Sequence, residues 1–167
     1  MHIHLFQIEG ENKMLPNSPL PCMCASFRRA ARALTQVYND ALRPQGLRVT
    51  QFTILQALSL TGEISQGDLG DLLVLDSTTL TRTLRLMRVR GWIEERLGKD
   101  RRERWLQLSA AGRRQFKRAS VPWQELQTRL RSRVGSTNWN EWLGAATEIS
   151  RQTRAKAPKP VPVPVES

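Results

Sequence analysis

The chain has 167 residues, a length that suits one domain or at most two small ones. With 40% hydrophobic and 25% charged residues it can bury a core, and no apolar run reaches the roughly 18 residues that a membrane span requires. We therefore expect a globular cytoplasmic protein without a secretory signal. The formal net charge of +11 favours a polyanionic partner, although charge alone does not separate DNA from RNA or an anionic membrane.

Most of the excess positive charge lies in the middle of the chain. Residues 76–118 contain thirteen basic and five acidic side chains, whereas residues 1–75 contain six of each. A run of charge is often no more than a solvated surface. The pattern inside this segment therefore has to decide whether it binds anything.

The two ends of the chain differ from the part between them. Residues 1–21 and 157–167 are rich in Pro and are predicted to be flexible or extended tails. Residues 24–43 are predicted to form a first helix, which Pro44 and Gly46 end. Its apolar stripe consists of Phe27, Ala31, Leu34, Val37, Tyr38, Ala41 and Leu42.

Two further helices are indicated by their capping residues. Thr50 is expected to cap the second helix, which Gly62 ends. Ser65 and Asp68 match a capping box with Asp in place of Glu, and they are expected to open a short third helix.

The fourth helix has two faces of opposite character. Asp76 or Ser77 is expected to cap it, and it is predicted to run to Gly91 without another acid. The face predicted to enter the core carries Leu80, Leu84 and Met87. The opposite face carries Thr78, Arg82, Arg85 and Val89. This helix therefore presents a basic, hydroxyl-bearing surface.

A β-hairpin and two helices are predicted after Gly91. Residues 92–97 and 103–108 fit two strands, and residues 98–102 have turn chemistry. Ser109 is expected to cap a helix that Pro122 interrupts, and a last helix is predicted after Gly135. The last helix carries an apolar face made of Trp139, Trp142, Leu143, Ala146 and Ile149.

A short capped helix, a turn and a basic helix form a helix-turn-helix, and the hairpin adds a basic wing. Arginine suits guanine in the major groove, and a narrow basic tip suits the minor groove of double-stranded DNA. The candidate DNA-binding residues on the fourth, or recognition, helix are Ser77, Thr78, Thr79, Thr81, Arg82 and Arg85. Those on the preceding helix and the wing are Ser65, Gln66, Lys99, Arg101 and Arg102.

Several motifs resemble those of the MarR (multiple antibiotic resistance regulator) transcription factors, over about residues 24–152. They are Thr78-Thr79-Leu80-Thr81-Arg82, Gly91-Trp92-Ile93, Asp100-Arg101-Arg102 and Leu108-Ser109-Ala110-Ala111-Gly112. Trp92 replaces the usual Leu, Ser109 replaces Thr, and the interval from Gly91 to Asp100 is about one residue shorter than usual. The resemblance implies that Asp100 braces the wing and that Arg101 or Arg102 probes the minor groove.

The expected fold is mostly α with a small β-hairpin wing, in a single MarR-like domain over residues 22–156. The winged helix-turn-helix would span about residues 47–112, with dimerisation helices at about 24–43 and 113–154. The resemblance implies a repressor, although activation stays open, and a small aromatic effector bound beside the dimer helices. Tyr38, Arg28 and Trp123 are the candidate lining, and each is more simply a packing or surface residue.

A homodimer is expected because one winged helix reads too short a site for genomic specificity. Its interface would use the first helix and the two C-terminal helices, including Trp123, Trp139 and Trp142. The alternative is that any one of these tryptophans fills the core of its own protomer.

Cys22 and Cys24 are the only cysteines and are candidate redox residues. They flank the start of the first helix, where the positive end of the helix dipole stabilises a thiolate. The simpler interpretation, that they are small residues with no regulatory role, is favoured. No set of residues matches a metal site, a cofactor site or a catalytic centre. The alternative function is a winged-helix protein that binds RNA, or DNA without sequence preference.

Overall fold

A computed structural model describes residues 22–98, 100 and 103–153. Contacts divide the chain into two units, of which the first ends at Thr35 and the second begins at Gln36. The elements in chain order are α1 (Met23–Leu42), a 3-10 turn (Arg43–Gln45), α2 (Val49–Thr61), β1 (Ile64–Ser65), α3 (Gln66–Leu73), α4 (Ser77–Val89), β2 (Ile93–Leu97), β3 (Arg104–Leu108), α5 (Ala110–Val134) and α6 (Ser136–Thr153). None of the helices described is both long and apolar enough to cross a membrane.

The predicted fold class, mostly α with a small wing, is confirmed. Strands β2 and β3 pair antiparallel, with Ile93 opposite Leu108 and Leu97 opposite Arg104. Strand β1 adds a third member that the sequence analysis missed, in the order β1-β3-β2. Its two residues are too few to show an alternating pattern, and only pairing with β3 reveals them.

The expected cap of α2 is wrong. Thr50 lies inside the helix, which begins at Val49. The side chain of Gln51 accepts from the Arg48 N–H at 3.0 Å, and the side chain of Asn39 accepts from the Val49 N–H at 2.8 Å. The first backbone N–H groups of α2 are therefore capped by the Gln51 side chain, from the first turn of the helix, and by the Asn39 side chain, from α1.

The predicted interruption at Pro122 is also wrong, because α5 is continuous from Ala110 to Val134. Proline removes one N–H donor from a helix interior and crowds the preceding turn. Here the apolar face of the helix extends to both sides of the proline, with Ala119 and Leu126 buried. Packing on both sides offsets the loss of one hydrogen bond, which explains why a local rule fails at this position.

The core lies in the second unit and is organised around α2. Phe52 and Leu55 of α2 are fully buried with Leu84 of α4 and Leu106 of β3. Trp123 stacks on Phe52 with ring centroids 5.4 Å apart, so this tryptophan packs in the core of its own protomer. Helix α6 is different, because none of its residues is buried.

Candidate nucleic-acid interface

Helix α4 is anchored at its start and along one face. The Asp76 carboxylate caps it by accepting from the Thr79 N–H at 2.8 Å. The pKa of Asp76 lies below its ordinary value because the side chain and then the backbone N–H of Thr79 donate to the carboxylate. The predicted core face is confirmed, because the buried residues of the helix are Leu80, Leu84 and Met87.

The opposite face of α4 is exposed, as the sequence analysis predicted. Thr78, Arg82, Arg85 and Val89 are all exposed. Within the described part of the chain, no side-chain hydrogen bond or ion pair involves Arg82 or Arg85. Their guanidinium groups are therefore available to phosphates or to the guanine edge.

The other predicted residues of the reading surface divide into two groups. Ser77 and Thr79 are exposed, and the Thr81 hydroxyl accepts from the Gln66 amide at 3.3 Å, which ties α3 to α4. Ser65 is buried and caps α3, because its Oγ accepts from the Asp68 N–H at 3.1 Å. A contact between DNA and the Ser65 hydroxyl is therefore not expected from this geometry.

An open cleft of about 780 Å³ separates the helix-turn-helix from the base of the wing. It brings together four of the predicted residues, and Arg104 lies on its wing side. The four residues are Ser65, Gln66, Ser77 and Asp100. The Asp100 carbonyl accepts from the Glu103 N–H at 2.9 Å. Lys99, Arg101 and Arg102, like both predicted tails, lie outside the described residues.

Two carboxylates at the base of the wing were missed by the sequence analysis. Glu95 of β2 pairs with Arg88 of α4 and with Arg104 of β3. Glu63, just before β1, accepts two bonds from Arg96 at 2.5 and 2.6 Å, and this hydrogen bonding lowers the pKa of Glu63. No local spacing signals these pairs, because their partners lie on different elements.

The residues proposed for signal sensing lie in different settings. Tyr38 donates to Gln127 at 2.6 Å, and partial burial raises the pKa of its hydroxyl. Arg28 is exposed and belongs to the first unit. Cys22 and Cys24 are exposed, and neither forms a disulfide within the described residues. In the described ranges no three His, Cys, Asp or Glu side chains cluster as metal ligands would.

Three matches share sequence similarity with this chain. A family model described as MarR family matches residues 45–103. The transcriptional regulator MosR of Mycobacterium tuberculosis, whose crystal structure was determined in complex with DNA, is 36% identical in sequence to this chain. The match has a TM-score of 0.65 and covers 78% of this chain and 98% of the MosR chain. An uncharacterised HTH-type transcriptional regulator, YwoH of Bacillus subtilis, is 26% identical over 104 residues, which are 62% of this chain and 76% of that protein.

A fourth match, below 25% identity, concerns the fold alone. The crystal structure of CouR from Rhodococcus jostii bound to p-coumaroyl-CoA is 19% identical and has a TM-score of 0.69. The match covers 83% of this chain and all of that one.

Proposed function

Because this chain belongs to the MarR family of DNA-binding transcription regulators, we propose that it is a repressor that binds a pseudo-palindromic operator as a homodimer. The observation that carries the proposal is the exposed face of α4, where Arg82 and Arg85 have no partner within the described residues and Thr78 lies beside them. Arginine on such a face can donate two bonds to guanine O6 and N7. The half-site centres would then lie about one helical turn apart.

The dimer is supported by apolar surface that one protomer leaves open. On α6, Trp142 and Leu143 are more than half exposed, and on α1, Phe27 and Leu34 are more than two-fifths exposed. Apolar residues grouped on helices in this way mark an interaction surface more often than isolated ones do. We therefore assign both helices to a two-fold interface with a second copy of the chain.

Competition binding tests the specificity. A DNA fragment selected from a random library by the protein is compared with a random duplex of equal length. A regulator should prefer its selected sequence by about 10³-fold or more. Equal binding to both duplexes, or tighter binding to RNA, would support the alternative of an architectural or RNA-binding protein.

Release of the operator is proposed to follow binding of a small aromatic effector. The p-coumaroyl-CoA in the CouR structure supports this class of ligand, although that likeness concerns the fold alone. An effector would act by favouring a half-site separation that does not fit the operator. A thermal-shift screen of aromatic acids, followed by a DNA-release assay, tests this step. A broad screen without hits would argue against effector control.

Oxidation of Cys22 and Cys24 is the second proposed route of release, and their exposure supports it. An oxidant such as peroxide would convert a thiolate to sulfenic acid, which then condenses with another thiol. The test compares operator affinity before and after peroxide, in the wild type and in a Cys22→Ser, Cys24→Ser variant. Equal losses in both proteins, or no loss in either, would eliminate this switch.

A further inference from the structure

The side chain of Glu95 joins the recognition helix to the wing. Its Oε2 atom accepts from Arg88 in the last turn of α4, and its Oε1 atom accepts from Arg104 at the start of β3. The Glu95 side chain is only 14% exposed, whereas those of Arg88 and Arg104 are 32% and 50% exposed. One shielded carboxylate therefore holds two partly exposed guanidinium groups.

These two arginines lie beside the surface proposed to bind DNA. Arg104 lines the cleft that also contains Gln66 and Ser77, and Arg88 is on the same helix as Arg82 and Arg85. An arginine in such a place is a natural partner for a DNA phosphate. Both guanidinium groups are instead engaged by Glu95.

The engagement of both arginines by Glu95 bears on DNA specificity, because contacts between a protein and phosphates do not depend on base sequence. Each phosphate neutralised by a cation adds about 0.9 to the slope of log affinity against log salt, on any duplex. Sequence is read by contacts to base edges and by DNA shape. Base contacts hold the operator complex in one register, whereas on random DNA the protein can take any register that satisfies the most cations. A carboxylate that keeps two arginines from phosphates therefore lowers binding to random DNA more than binding to the operator.

We propose that Glu95 is a specificity-determining residue that acts through Arg88 and Arg104. It withholds both guanidinium groups from phosphates and fixes the base of the wing against the last turn of α4. This role rests on the proposed function, because specificity can be measured only if the protein has an operator.

The experiment compares Glu95→Gln with Glu94→Gln. Both variants lose one negative charge from β2, but Glu94 is exposed and, among the residues that the structure describes, its side chain bonds only to Gln107, at 2.8 Å. We expect E95Q to bind a random-sequence 30-base-pair duplex more tightly at low salt, with a salt slope steeper by about 2 units. Its preference for the selected fragment should fall by about tenfold, while E94Q changes either quantity much less. Equal effects of both variants would overturn the proposal, because net charge would then explain them.

A second comparison tests whether Glu95 acts through its two partners. In an Arg88→Gln, Arg104→Gln background, E95Q should leave the random-duplex salt slope unchanged, and an undiminished effect would contradict the mechanism. If E95Q does not fold, the salt slope of the Arg88→Gln, Arg104→Gln variant on the random duplex tests the proposal by itself. This variant should keep nearly the wild-type slope, whereas Arg101→Gln with Arg102→Gln should flatten it by about 2 units. An equal flattening by both pairs would show that Arg88 and Arg104 already contact phosphates, which refutes the proposal.

Failure of the proposed function is distinguishable from failure of this inference. If the wild-type protein selected no sequence from the library, operator specificity would be refuted. The salt slopes on the random duplex would still decide whether Glu95 withholds the two arginines.

Discussion

The carbonyl oxygen of Trp92 lies only 1.9 Å from the place that a Cβ atom on Gly112 would occupy. The same carbonyl accepts from the Ser109 N–H at 3.1 Å. The Ser109 hydroxyl donates to the Gly91 carbonyl at 2.6 Å and accepts from the Gly112 N–H at 2.9 Å. These bonds join the end of the recognition helix to the first turn of α5. The close approach that they hold leaves no room for a Cβ atom on Gly112, which explains why the motif from Leu108 to Gly112 ends in glycine.

We predict that Gly112→Ala lowers the free energy of unfolding by about 3 kcal/mol, because a backbone carbonyl cannot move aside as a flexible side chain can. Urea unfolding measures the loss. Gly144→Ala is the matched control, since a Cβ atom there meets nothing within 4 Å. A loss at Gly112 no larger than at Gly144 would show that the two backbones separate easily.

Val74 has a left-handed backbone, with φ at 53°, in the turn between α3 and α4. A β-branched residue is strained in this conformation, and Val74 is 61% exposed, so replacing it removes little packing. We predict that Val74→Gly raises the free energy of unfolding by about 0.5–1 kcal/mol, after the entropy cost of glycine. Val74→Ala retains a Cβ atom and should gain less. Denaturant midpoints check both variants, and a less stable glycine variant would contradict the strain.

Mutations should distinguish arginines that read bases from arginines that contact phosphates. Arg82→Ala or Arg85→Ala is expected to cost about 1–3 kcal/mol of operator affinity and to relax base preference if that residue reads guanine. Arg101→Ala or Arg102→Ala should weaken binding to all sequences evenly and flatten the salt dependence. Binding measured over several salt concentrations and single-base operator variants distinguishes the two classes.

An exposed arginine of α5, Arg129, supplies the control for these changes. Arg129→Ala removes the same charge away from the recognition helix and should have a smaller effect. If the four arginine variants of α4 and the wing gave one uniform loss, the division between reading helix and wing would be wrong.

The proposed dimer predicts a specific response to charge on α6. Trp142→Glu should convert a dimer at micromolar concentration into a monomer, because an unpaired carboxylate is costly to bury in an apolar interface. Analytical ultracentrifugation gives the molecular mass, and far-ultraviolet circular dichroism checks that the protomer is folded. Leu60→Glu on α2 is the control, since Leu60 is also an exposed apolar residue. A wild-type monomer at micromolar concentration would refute the interface.

The cap of the recognition helix should depend on pH. The pKa of Asp76 is lowered in the folded chain, by hydrogen bonds from the Thr79 side chain and backbone. The ionised cap therefore contributes stability above the ordinary Asp value, and this contribution is lost as pH falls through the lowered one. We expect Asp76→Asn to be less stable than the wild type at pH 7, with the difference narrowing towards pH 3.

Urea unfolding at both pH values measures the effect of Asp76. Asp71→Asn serves for comparison, because Asp71 is exposed and the adjacent helices of the described chain are capped by Ser65 and Asp76 instead. If the difference in the free energy of unfolding between Asp76→Asn and the wild type stayed constant with pH, the charge of Asp76 would not contribute to the cap.

The sequence by itself determined much of the local structure of this protein, although not the cap of α2 or the continuity of α5. The faces of α4, a cap at Asp76 or Ser77, the ends at Gly62 and Gly91 and the β2–β3 hairpin were all predictable, because each depends on residues a few positions apart. Side-chain periods and capping bonds act over one or two turns, so they can be read without the fold. The reading face of the recognition helix could be predicted for the same reason.

Only the tertiary structure decided which residues meet across the chain. Trp123 packs on Phe52 while Trp142 remains exposed, although both tryptophans lie at helical apolar positions. Glu95 finds Arg88 and Arg104 because β2 lies against α4 and pairs with β3. Burial and ion pairing depend on neighbours brought together by folding, and a one-dimensional pattern does not contain those distances.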